Sequence, residues 1–400
     1  MRQYRPTLTD RRYVVPFALI TSLFFLWGFA RAILDVLNKH FQNALDISLT
    51  QSSLIQVTTY LGYFLTAIPA GWFINRQGYR RGVVFGLALF ALGSLMFIPG
   101  AAIGTFYAFL LPLFIIGCGL VFLETAANPY ASELGDKATA SSRLNFSQSF
   151  NGLGCLFATY VVGQFLFNGS NEGGDVVVPY TLLGILVMVI AVVFSRVHLP
   201  EIKHEETEED RIKDTRIMKL FKHHPMFVFG LFSLLAYEIA EISINSYFIN
   251  FVTGQGWMDD NSASMVLTVA LGFFMVGRFL GSWIMRRIPA ERMLMYCSLG
   301  SVSCLGVVLL DIGHWSMYAL IANYLFEAIM FPTIFSLSLQ GLGNLTKSAS
   351  SLLMMTPIGG CFFLLMGYVA DQTNLVVPFL IPFIGYFIVL LYASELSRKS

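Results

Sequence analysis

The chain has 400 residues, 56% of them hydrophobic and only 12% charged, with a mean hydropathy of +0.67. A water-soluble domain has no use for so much apolar surface, whereas a bilayer does. A formal net charge of +1 gives no electrostatic case for nucleic acid.

A hydrocarbon core about 30 Å thick takes roughly 20 apolar residues per helix. Twelve stretches reach that length, at 13–37, 52–74, 82–100, 104–131, 143–168, 178–198, 225–252, 262–285, 292–311, 314–338, 348–370 and 376–396. A β-barrel would show short alternating segments, but YTLLGILVMVIAVVF (180–194) is apolar on every face. The predicted class is an all-α membrane protein of twelve spanning helices. Of 25 Lys and Arg, 22 precede segment 1 or follow the even-numbered segments. Arg31 and Arg278 lie inside segments, and Lys39 alone falls in the opposite set of gaps. Positive-inside bias then puts both termini in the cytoplasm, which requires an even helix count. No cleavable signal is expected before segment 1. The five cysteines all fall in apolar segments, with spacing that suits neither a zinc site nor a disulfide framework.

In chain order, segment 1 (FFLWGFARAILDVL, 24–37) carries Asp35, with Arg31 one turn earlier on the same face. Asp35 either stays locked to Arg31 or exchanges between Arg31 and a substrate. Gln56, Tyr60 and Tyr63 form one stripe on segment 2. Arg76, Arg80 and Arg81 stand at its cytoplasmic end, where cations complement the helix dipole. Segment 4 contains FIIGCGLVFLETAANPY (114–130), which strands Glu124 in an otherwise apolar helix, with Asn128 one turn on. An acid at bilayer depth costs about 2.5 kcal/mol or more and is functional by default. Glu124 is therefore the first candidate for proton coupling, and Asp35 the second. Segment 5 crowds Asn145, Gln148 and Asn151 together.

The longest polar break, near 198–224, divides the chain into an N-terminal bundle (1–198), a cytoplasmic linker (199–224) and a C-terminal bundle (225–400). The halves repeat each other. LGYFLTAIPAGWFINRQGYRRG (61–82) aligns without gaps with LGFFMVGRFLGSWIMRRIPAER (271–292), and ELGDKATASSRL (133–144) aligns more weakly with GLGNLTKSASSL (341–352). Parallel six-helix repeats are a transporter plan that puts substrate near the midplane between the halves. Glycine at 71 or 281 is expected to allow close helix approach. Arg76, Arg80, Arg81, Arg278 and Arg286 are candidates to gate the two halves. In the second half, Glu238, Glu241 and Asn245 lie on segment 7, and Asn323 and Glu327 share a face of segment 10.

These features resemble the major facilitator superfamily. GWFINRQGYRRG (71–82) is similar to its loop 2–3 signature, with Asn75 where Asp is usual. VPFALITSLFFLWGFARAILDVLNKHFQ (15–42), LETAANPYASELG (123–135), RLNFSQSFNGLG (143–154) and FPTIFSLSLQGLGNLTKSASSLLMMTPIGG (331–360) resemble the fucose–galactose–glucose:proton symporter family. The resemblance implies proton-coupled uptake of a monosaccharide across a bacterial inner membrane. It carries the family's two acids onto Asp35 and Glu124, and a polar helix-5 residue onto Asn151. Arg31 and Glu241 depart from the fucose-type pattern, and YEIAEISINSYFINF (237–251) is more similar to glucose, galactose or N-acetylglucosamine relatives.

Sugars need amide and hydroxyl partners plus flat apolar faces. Gln56, Tyr60, Asn128, Gln148, Asn151, Glu241, Asn245, Asn323 and Arg31 are the candidates. The alternative is a proton-coupled antiporter exporting a small polar metabolite or drug, which the amide-rich segment 5 disfavours. No GxSxG, HExxH or ATP-binding loop occurs. The expected partners are a monosaccharide, a proton and membrane lipid, with no metal or cofactor, and the expected working unit is a monomer.

Overall fold

The computed structural model describes residues 9, 11–135, 140–167, 176–197, 220–285, 288–342, 345, 349 and 352–399. Among them there is no strand. Ten helices are long and apolar enough to cross a membrane. The two other expected spans are also helical, and their sequences explain why they stand apart. The fifth segment, Ala140–Phe167, is an unbroken helix, but RLNFSQSFNG dilutes its apolar character. The eleventh is divided into a 3-10 stretch, Thr356–Phe362, and a short α-helix, Phe363–Gln372. Pro357, Gly359 and Gly360 weaken regular helix there.

The twelve segments, α1 to α12, are as follows. In the first half they are Val14–Leu45, Leu54–Gln77, Tyr79–Leu95, Leu110–Glu133, Ala140–Phe167 and Val177–Arg196. In the second they are Pro225–Gly254, Asp260–Ile284, Ala290–Leu309, His314–Glu327 continuing as Met330–Leu339, Thr356–Gln372, and Leu380–Lys399. Local signals set several ends. Asp259 caps α8 by accepting from the Ser262 N–H, and its hydroxyl bond from Ser262 holds its carboxyl below the usual range. Pro225 opens α7 at a position that needs no N–H. Gly78, at φ +85°, turns α2 into α3.

The chain divides into two compact units, Met1–Leu34 with Leu61–His204, and Asp35–Tyr60 with Glu205–Ser400. Residues 35–60, which the sequence assigns to the N-terminal bundle, thus cluster with the C-terminal helices. Inside the first unit α3 packs on α4 and α6, and α4 on α5. Inside the second, α9 packs on α10 and α12. The pairing of α3 with α4 and α6 therefore recurs one half later, as the sequence repeat predicts.

Close approach is concentrated at a few glycines. A Cβ on Gly154 of α5 would stand 2.1 Å from the Phe25 carbonyl oxygen of α1, and one on Gly281 would stand 2.2 Å from Ile329. Gly71 is different, because a Cβ there would meet nothing within 4 Å. The expected approach at 71 is absent, and the close α2–α4 contact sits at Gly62 instead, where an added Cβ would stand 2.6 Å from the Phe114 carbonyl oxygen.

Candidate functional site

Glu124 lies two-thirds of the way along α4 and is half-buried. The buried Tyr63 hydroxyl of α2 donates to its carboxylate, and the Arg31 guanidinium of α1 acts on its charge. A carboxylate away from water is tolerated when hydrogen bonds and an opposite charge offset its lost hydration. Three helices of the first unit therefore converge on one acid. One turn on, Asn128 accepts from Gln148 Nε2 of α5 at 3.3 Å. Asn151 lies against α1, where its amide nitrogen donates to the Phe24 carbonyl at 3.3 Å. With the amide turned over, its oxygen instead accepts from Gly28 N at 3.1 Å and from the Trp27 indole at 3.3 Å. Asn151, Gln148, Asn128, Glu124 and Arg31 thus all lie in the first unit, on α5, α4 and α1. The side chain of Asn145 lies outside the described residues.

Asp35 belongs to the second unit. Ser246 of α7 donates to its Oδ1 at 2.7 Å, and Gln56 of α2 donates to the Ser246 hydroxyl at 3.1 Å. Asn38 donates to Gln56 Oε1 at 3.3 Å and accepts from Gln42 at 2.7 Å and Asn250 at 3.2 Å. Every one of these bonds points toward Asp35, so a charge-accepting carboxylate terminates the chain. Gln56 and Tyr60, candidates for substrate, are buried in this unit. Gln56 is engaged by Asn38 and Ser246, and the ring of Tyr60 covers Gly360.

Ser246, Asn38, Gln42 and Asn250 were not singled out from sequence. Their signal is the spacing 35, 38, 42 on α1 and 246, 250 on α7, which puts each set on one helical face. Nothing in that spacing says which face meets which. In the same unit Lys39 pairs with Asp260 at 3.8 Å, and the Thr50 N–H donates to Asp371 at 2.9 Å.

Further along α7, Asn245 donates to Glu241 Oε1 at 3.1 Å. On α10, the fully buried Asn323 donates to Glu327 Oε2 at 2.7 Å. The arginines take local roles. Arg80 donates to the carbonyls of Phe194 (3.3 Å) and Ser195 at the end of α6. Arg81 bonds Gln77, and Arg76 stacks 4.5 Å from the Trp72 ring centroid. Arg278 donates to the Ala328 carbonyl at 3.1 Å. Arg286 lies outside the described residues. Arg143 is fully buried and donates to the Ala131 carbonyl at 3.2 Å. The negative end of the α4 dipole accounts for that placement.

A sequence profile of the Major Facilitator Superfamily matches residues 20–364. The chain belongs to the major facilitator superfamily. It is 33% identical to the glucose/galactose transporter of Brucella abortus, over 98% of this chain and 97% of that one. It is 32% identical to the L-fucose-proton symporter of Escherichia coli, over 98% and 95% respectively. The crystal structure of the superfamily transporter FucP in the outward conformation superposes with a TM-score of 0.75 at 31% identity, covering 96% of this chain and 99% of that one. Membership makes the chain a transporter and not an enzyme, and the helices described above are its multi-pass membrane part.

Proposed function

We propose that this chain is a proton-coupled symporter that imports a monosaccharide, L-fucose or a related hexose, by alternating access. The observation that carries the reading is Glu124, a carboxylate inside an apolar spanning helix, bonded by Tyr63 and facing Arg31. Full-length similarity to proteins named as an L-fucose-proton symporter and a glucose/galactose transporter supports the cargo. The moving bodies are the two six-helix halves, 1–198 and 225–400, joined by the cytoplasmic linker 199–224. The carrier works as a monomer in a bacterial inner membrane, with both termini in the cytoplasm.

The chemistry follows from charge. An ionised carboxylate in a dry site opposes the reorientation of the halves. A proton on Glu124 removes that opposition, and sugar hydroxyls replace the bonds that Asn128, Gln148 and Asn151 make within the protein. Asp35 is the second acid, and the Ser246 bond is the contact it exchanges as its charge changes. Arg31, Gln56, Tyr60, Glu241, Asn245 and Asn323 supply further polar contacts during the cycle. Arg76, Arg80, Arg81, Arg278 and Arg286 serve the cytoplasmic gate.

The test is uptake of labelled L-fucose, glucose, galactose and N-acetylglucosamine into proteoliposomes, with and without an inward proton gradient. Accumulation of at least one sugar only with the gradient is expected. Accumulation independent of the gradient, or gradient-driven expulsion alone, would refute symport.

A further inference from the structure

Glu327 has no part in the cycle just proposed, yet it is a fully buried acid. Its Oε2 accepts from Asn323 Nδ2 at 2.7 Å and from the Tyr386 hydroxyl of α12. Among the described residues its Oε1 has no hydrogen-bond partner, and neither do Asn323 Oδ1 and the buried Tyr324 hydroxyl beside it. No Lys or Arg pairs with Glu327 among the described residues.

The charged and titratable neighbours come from every helix around it. Helix α7 brings Glu238, Glu241 and Tyr237, whose hydroxyl donates to the Glu327 carbonyl at 3.4 Å. Helix α8 brings Arg278, which is engaged with the Ala328 carbonyl and with the Phe274 ring. Helix α9 brings the thiol of Cys304, α12 brings Tyr386, and α10 itself brings Tyr324. Three acids thus share a region with one cation that is already committed elsewhere.

The hydrogen-bond bookkeeping points the same way. Two of the open positions, Glu327 Oε1 and Asn323 Oδ1, are acceptors against a single unused donor, the Tyr324 hydroxyl, so the cluster is one donor short. A buried, unpaired carboxylate oxygen is costly, whereas a carboxylic acid supplies one O–H and carries no charge. We propose that Glu327 is a further proton-binding carboxyl, beyond Glu124 and Asp35, that takes up and gives up a proton as the carrier cycles. The proton leaves the carboxyl oxygen as H⁺ to water admitted when α7 and α10 part, with no other bond made or broken.

This inference deepens the proton-coupling reading and rests on it for its place in the cycle, but its main test needs no sugar. Infrared difference spectra are recorded on the protein in phospholipid bilayers after a pH step, following the C=O stretch of protonated carboxyls. A titrating component is expected to persist in Glu124→Gln and to be lost in Glu124→Gln/Glu327→Gln, leaving only the Asp35 component. Because Glu327→Gln removes a buried acid and can fail to fold, Tyr386→Phe is the companion: it keeps the acid, removes its donor and shifts the same band in frequency.

The proposal is overturned if the band left in Glu124→Gln is unaffected by both changes. It is also overturned if that band is fixed over the whole pH range in which the protein stays folded, since Glu327 would then hold a permanent proton as helix glue. In flux measurements, Glu327→Gln is expected to lower the protons moved per sugar by one while sugar exchange continues. An unchanged ratio with intact exchange would contradict the assignment. Failure of sugar accumulation in the wild type would sink the transport reading but leave the infrared result standing.

Discussion

At the scale of residues, the polar groups of this chain separate by what they touch. Arg143 and Arg81 are both arginines near helix ends, but one is fully buried on the Ala131 carbonyl and the other is exposed beside Gln77. Arg143→Leu strands the carbonyl it serves, at a cost of about 1–3 kcal/mol. The thermal unfolding midpoint in detergent is expected to fall accordingly, while Arg81→Ala leaves it unchanged. Equal effects of the two changes would show that the buried contact contributes nothing.

Ser246→Ala removes the donor to Asp35 and the acceptor of Gln56 together. Its expected cost is again about 1–3 kcal/mol, and Ser246→Thr, which keeps the hydroxyl, restores the midpoint. If threonine does no better than alanine, the hydroxyl is not what matters there. Glu124, the Glu241–Asn245 spacing and the Asn323–Glu327 spacing were legible in sequence, because each is an isolated polar feature on one helix. The chain of bonds ending at Asp35 was not legible, because serine and asparagine spacing fixes a face but not the neighbour that face meets.

At the scale of elements, hydropathy identified the apolar spans and was least informative for α5 and α11. Helix α5 carries Asn145, Gln148 and Asn151 near its start and so is less apolar there than its neighbours. Segment α11 trades regular α-helix for the Pro357–Gly360 turn. Small residues decide how near helices come, yet sequence alone ranked Gly71 with Gly281. The coordinates separate them: the space around Gly71 is open, whereas Gly154 and Gly281 face a carbonyl and a side chain at overlap distance. Gly154→Val is therefore expected to cost about 1–3 kcal/mol or more through overpacking. Gly71→Ala is expected to be neutral or to stabilise by up to about 1 kcal/mol through helix propensity. Thermal unfolding of the two variants in detergent reads this directly, and a Gly71→Ala variant less stable than Gly154→Val would refute the packing assignment.

At the scale of the whole molecule, the internal repeat is the feature that sequence and coordinates share most fully. The alignment of 61–82 with 271–292 predicts two similar halves, and α3 with α4 and α6 is matched by α9 with α10 and α12. The clustering of residues 35–60 with the C-terminal helices was invisible to hydropathy, because it depends on which side chains meet and not on where the spans begin. The alternating-access account places the controlling charge on Glu124, so one variant tests it most directly. Glu124→Gln keeps the hydrogen-bonding shape and removes the titratable charge. In proteoliposomes it is expected to lose proton-driven accumulation of sugar while retaining counterflow exchange of labelled for unlabelled sugar. A Glu124→Gln carrier that concentrated sugar as the wild type does would contradict the account at its centre.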